Sequence, residues 1–256
     1  MKQFTAFMKK ELLEQLRTGK ILIFTIIFGL FGIMNPAIAK LTPWMMELMN
    51  DQLAESGIIA GSIKVTALTS WTQYFKNMPM ALIILLITYG SILTSECQRG
   101  TLILLITKGM KRWKILTAKT VFLFSLWTAG NLLGYAVTYA YNAFFWDNST
   151  AGSHFLAAFC FYLMGLWLIS ILPAASAFLQ SATAVILSAG GAFAASYLLG
   201  LIPKIHNCLP THLMDSVELL AGTADGSSYT KAIIITLISI VINIFTAIYS
   251  FNQKNL

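Results

Sequence analysis

Between His154 and Lys204 the chain runs through 49 residues, Phe155 to Pro203, without one Asp, Glu, Lys or Arg. As a single α-helix this run would extend about 73 Å, more than twice the ~30 Å hydrocarbon thickness of a bilayer. A soluble core needs no apolar block of that length, so the block must cross a membrane and fold back. Its most polar point clear of both ends is Gln180-Ser181. A tight turn is expected there, between spans over 154–178 and 182–202, with Pro173 kinking the first of them. Composition agrees. The chain is 57% hydrophobic and only 11% charged, against about 25% charged in a soluble domain, and its mean hydropathy is +0.73. Too little polar surface remains to coat a soluble globule.

Four further spans follow from hydropathy, near residues 21–39, 79–94, 115–145 and 231–251. Residues 1–20 are too polar to span. Phe4, Phe7, Met8, Leu12 and Leu16 recur there at helical spacing, which predicts an amphipathic helix lying in the headgroup plane. Lys40 to Asn77 is expected to be a polar loop, with a short interfacial helix near residues 43–49. The fold class is therefore all-α integral membrane, a single domain over 1–256 with six spans.

An even number of spans puts both termini on one side. The N-terminal segment, residues 95–120 and the C-terminus hold 12 of the 17 Lys and Arg, while seven of the ten acids lie on the other side. The positive-inside rule then places both termini in the cytoplasm of a plasma (inner) membrane protein. The same rule accounts for the net charge of +7, and no nucleic-acid partner is expected. The three cysteines, Cys97, Cys160 and Cys208, fall on different sides or within the bilayer and form no disulfide framework.

Several chemistries are missing. No Gly-x-x-x-x-Gly-Lys-Ser/Thr run occurs, so the chain has no phosphate cradle and no ATPase of its own. The spans are almost free of the ionisable residues that mark proton or ion routes, Glu96 and Lys119 falling at cytoplasmic edges. They also lack the paired acids or His-Glu-x-x-His run of an intramembrane enzyme. His206, Cys208, His212 and Asp215 gather in the last outer loop, but their spacing matches no usual zinc pattern and no metal is expected. Gly190-Gly191, among Ala189, Ala192, Ala194 and Ala195, makes a small-residue face suited to helix packing, within the subunit or across a dimer.

The informative segment lies over 96–113. Glu96 and Arg99 are three apart and can pair on a helix. Gly100 permits a sharp turn and Thr101 can cap a helix. Leu102 to Ile106 is too short to span and too apolar for a free loop, so a short docked helix is expected. Lys108, Lys111, Arg112 and Lys114 follow, near the headgroups.

Glu96, Gly100-Thr101, the apolar stretch, Lys111-Arg112 and the early Lys119 of the next span resemble the ABC-2 type permeases. The resemblance covers the whole chain, with Gly109-Met110 departing from the family pattern. It implies an N-terminal elbow helix, and a coupling helix between spans two and three that includes Leu102 and Leu105. It also implies a second permease, identical or paralogous, and a separate ATP-binding subunit that carries ATP and Mg²⁺. Membrane lipid is the remaining partner. The implied function is an exporter of peptides, lipids or drug-like molecules, with Glu96 and Arg99 as a strut below span two. The alternative is a membrane immunity or assembly factor that acts by binding a partner.

Overall fold

The computed structural model describes residues 2–55 and 65–253, and every regular element among them is helical. Helix α1 (Lys2–Arg17) gives way to α2 (Lys20–Glu55) at Gly19, which takes the left-handed φ of +70° that side chains resist. Then come α3 (Ala67–Tyr89), two short helices α4 (Thr94–Gln98) and α5 (Thr101–Thr107), and α6 (Arg112–Phe145). Helices α7 (His154–Phe178) and α8 (Ala182–Gly200) are joined by a three-residue turn. Two short helices, α9 (Pro203–His206) and α10 (Ser216–Leu220), precede α11 (Thr230–Gln253). Among the described residues six helices, α2, α3 with α4, α6, α7, α8 and α11, are long and apolar enough to cross a membrane.

The first loop departs most from the sequence reading. Helix α2 does not stop at residue 39 but runs on through Pro36 and Pro43 to Glu55, and α3 begins at Ala67, ahead of Pro79. Pro36 has no N–H to give the Gly32 carbonyl four residues back. Thr138 Oγ1, from α6, donates to that carbonyl instead at 3.1 Å, so the helix continues. Asn35 Nδ2 donates to the Phe31 carbonyl at 2.7 Å, and Asn77 Nδ2 from α3 donates to Asn35 Oδ1 at 2.8 Å. The polar residues of 67–77 suggested a loop, yet Trp71, Tyr74, Phe75 and Met78 share one buried face. That i, i+3, i+4, i+7 stripe is the sign of an amphipathic helix. Residues 56–64, part of the expected loop, lie outside the described residues.

Helix α7 is the hub, packed against α3, α6, α8, α10 and α11. Within its crossing segment 61% of residues are buried, against 17% in α8. Gly165 lets α6 approach α7 closely. A Cβ there would overlap the Trp127 ring, whose Nε1 donates to the Tyr162 carbonyl at 3.0 Å. Phe28 packs edge-on against the same indole at 5.9 Å. At one end of the bundle Trp71, fully buried, donates from Nε1 to Asn148 Oδ1 at 3.1 Å. At the other end a second core gathers Phe7, Leu102, Ile115, Ala177 and Phe251 from five helices.

Candidate functional site

That second end is built around the reversal between α3 and α6. Arg99 caps the C-terminus of α4, and Gly100 turns the chain with a φ of +68°. Thr101 Oγ1 donates back to the Glu96 carbonyl at 3.2 Å, tying the start of α5 to α4. Gln98 Nε2 donates to the Gln180 carbonyl at 2.8 Å, so the turn between α7 and α8 is held to α4 as well. At the far end of α5, Gly109 (φ +83°) redirects the chain, and Lys111, extended at ψ 138°, opens α6. Helix α5 thus hangs below the bundle on two glycine-bearing corners.

Its two faces differ. Leu102 is fully buried in the second core and Leu105 packs against it. Ile103 and Leu104 point away, 47% and 64% exposed, with Thr101 and Thr107 beside them.

Directly above α5 lies an ionic cluster that joins three helices. Lys119 of α6 is 2% exposed and Glu11 of α1 is 1% exposed. Lys119 Nζ donates to both Glu11 oxygens, at 3.1 and 3.0 Å, and lies 3.1 Å from Glu96 Oε2. Lys10 Nζ donates to Glu96 Oε1 at 3.0 Å and pairs with Glu14 at 2.6 Å. Burial lowers the affinity of the Lys10 amine for its proton, but the hydrogen bonds to Glu14 and Glu96 outweigh this and raise its pKa to about 12. The hydrogen bond from Lys10 holds the Glu14 carboxyl below its ordinary value. Glu96 is thus the hinge of the cluster, bridging α1 and α6 from the base of α3. Buried charges persist only where they are paired and hydrogen-bonded, and removing one partner is costly. The cluster therefore locks α1, α4 and α6 into one body.

Several sequence expectations change. Glu96 does not pair with Arg99; both its oxygens face lysines from other helices, and Arg99 is exposed at the end of α4. The reason is geometric. The α4 helix is a single turn that ends at Gln98, so Arg99 caps it and points to solvent while Glu96 faces the bundle. Leu102 and Leu105 are anchors of α5, and its outward residues are Ile103 and Leu104. Lys111 is exposed, and Arg112 Nη1 donates to the Asn252 carbonyl at 3.4 Å, at the end of α11. A Cβ added at Gly190 or Gly191 would meet no described atom within 4 Å, so these glycines do not pack within the subunit.

Glu11 and Lys10 were missed in the sequence, although a signal existed. Phe7, Glu11 and Gln15 follow at i, i+4, i+8 and all three are buried, whereas Leu12 and Leu16 face outward. A carboxylate on the inner stripe of an amphipathic helix demands a buried cation. One oxygen each of Glu11, Glu14 and Glu96 lies within 4.8 Å of the others, and the Lys10 and Lys119 ammonium groups already sit among them, offsetting two of the three negative charges.

The family comparison agrees with this architecture. The family model described as ABC-2 family transporter protein matches residues 5–256, from within α1 to the end of the chain. No curated protein matches the chain. With six apolar crossing helices and a match that spans nearly every residue, the chain belongs to the ABC-2 family of transporter membrane proteins.

Proposed function

We propose that the chain is the permease half of an ATP-driven exporter in the plasma membrane, with both termini cytoplasmic, working with a separate ATP-binding subunit and a second permease. The observation that carries this is the division of α5: Leu102 is anchored in the second core, while Ile103 and Leu104 are left outside with no cover among the described residues. A seven-residue helix that exposes two large aliphatic side chains at the bundle's basic end suits a docking knob for a protein partner. In this reading α5 is the coupling helix and α1 the elbow. The cluster of Glu11, Lys119, Glu96 and Lys10 transmits a push on α5 into α1, α3 and α6 as one body. It takes over the strut role expected of Glu96 and Arg99. ATP and Mg²⁺ sit on the partner subunit. The exposed small-residue face of α8 at Gly190 and Gly191 serves as a seam with the second permease. A charge-poor, aromatic interior suits peptides, lipids or drug-like molecules as cargo.

The test is reconstitution with the ATP-binding subunit that copurifies with this chain. Leu104→Asp and Ile103→Asp should abolish capture of that subunit and permease-stimulated ATP turnover, while the thermal unfolding of the permease alone stays unchanged. Capture and stimulation at wild-type levels in both variants would refute the docking role of α5.

A further inference from the structure

We propose that the segment between α8 and α11 carries a divalent transition-metal site, of the class that takes zinc, formed by His206, His212 and Asp215. Their spacing in the sequence fits no common zinc pattern, yet folding brings them together. Pro203 opens α9, whose last residue is His206. Pro210 opens a 3-10 turn over Pro210–Met214, and Asp215 follows it. With about three residues per turn, such a helix aligns positions i and i+3, so His212 and Asp215 share a side.

Asp215 Oδ2 lies 3.0 Å from His212 Nδ1 and 3.3 Å from His206 Nε2. One potential ligand atom from each of the three residues falls within 4.8 Å of the others. Zinc bonds of about 2.0–2.1 Å in a tetrahedron hold neighbouring ligand atoms about 3.3 Å apart. The two measured separations are therefore already those of a tetrahedral edge. Two imidazoles and one carboxylate suit zinc and its first-row neighbours; calcium and magnesium prefer oxygen donors.

The surroundings are those of a prepared site. The His212 ring is buried and lies flat against Tyr229, with centroids 4.5 Å apart and planes 9° apart. The Tyr229 hydroxyl donates to the Asp215 carbonyl at 2.7 Å, fixing the ligand loop to the start of α11. His212 Nε2 is buried and has no hydrogen-bond partner among the described residues, so Nδ1 is the ring's polar face. His206 and Asp215 are 40% and 41% exposed, which leaves a fourth position open to water and a path for the ion. Unlike the Glu11 cluster, Asp215 forms no ion pair with Lys or Arg among the described residues. Cys208, in the same loop, is not one of the converging groups. A metal ion there would clasp α9 and the 3-10 turn together above α7 and α11.

The experiment uses the full chain in detergent, stripped with chelator and titrated with Co²⁺ as a spectroscopic stand-in for zinc. The expected result is an intense tetrahedral d–d absorption that saturates at one equivalent and is displaced by Zn²⁺. His206→Ala and Asp215→Asn, both at half-exposed positions, should each weaken binding at least about tenfold. Cys208→Ser and Glu14→Gln should bind as the parent does. Absence of saturable binding, or binding unchanged in both His206→Ala and Asp215→Asn, would overturn the site. Loss of binding in Cys208→Ser would overturn the ligand set. None of these readouts depends on transport or on the ATP-binding subunit, so a failure here leaves the proposed function to its own test.

Discussion

Lys119→Met removes the ammonium at the centre of the ionic cluster while keeping most of the apolar stem. In the parent protein three carboxylates, Glu11, Glu14 and Glu96, face two ammonium groups, Lys10 and Lys119, for a formal balance of −1. The substitution takes this to −2. Glu11, 1% exposed, is left with Gln15 Nε2 at 3.5 Å and Lys10 Nζ at 3.9 Å. Glu96 keeps its hydrogen bond from Lys10 but loses the cation 3.1 Å from its other oxygen. Breaking a buried pair by removing one partner costs about 3–5 kcal/mol. Because Lys10 still serves Glu96, the lower end, about 3 kcal/mol, is expected. Glu11→Leu combined with Lys119→Met removes both buried charges, and should recover about 2 kcal/mol relative to the sum of the two single changes. Denaturant unfolding of the four proteins in micelles gives the cycle. A cost below about 1 kcal/mol for Lys119→Met, or strict additivity of the two changes, would show that the cluster does not bind α1 to α6.

Three further outcomes are expected. Gly165→Ala drives a methyl group into the Trp127 ring and should cost about 1–3 kcal/mol; Gly190→Ala, with open space around it, should leave the stability of the isolated subunit unchanged, as thermal unfolding of both variants would show. Thr138→Val strips the donor from the Gly32 carbonyl and should cost about 1–3 kcal/mol; adding Pro36→Ala returns a backbone N–H to that carbonyl and should restore most of the loss in the same denaturation assay. The Lys10–Glu14 pair sets a pH window. The pKa of Lys10 is raised to about 12 from 10.5, so its contribution is full below 10.5 and fades as pH rises through 12; that of Glu14 is lowered from 4.5, so its contribution is full above 4.5 and fades as pH falls further. Both groups are half-exposed and screened by solvent, so the effect is at most about 0.5 kcal/mol, and Lys10→Gln should flatten the alkaline arm of a stability–pH profile.

The sequence alone determined the class of this protein, because the bilayer imposes its demands residue by residue. An uncharged run of 49 residues cannot be placed in water, and it cannot cross ~30 Å of hydrocarbon only once. The number of crossing helices and the short helix between the second and third follow from the same reasoning. Tertiary structure alone decided the rest. Whether Pro36 ends α2 depends on a threonine far along the chain, Thr138 in α6. Which face of α5 is buried could not be read from Leu102-Ile103-Leu104-Leu105-Ile106, since five apolar residues in a row carry no period. Glu96 has Arg99 three residues away but meets Lys10 and Lys119 from other helices, and the carboxylate of Asp215 meets two histidines whose spacing resembles no metal motif. Hydropathy is a local property and survives in one dimension; the partner of a buried charge is a property of packing, and is chosen only when the helices come together.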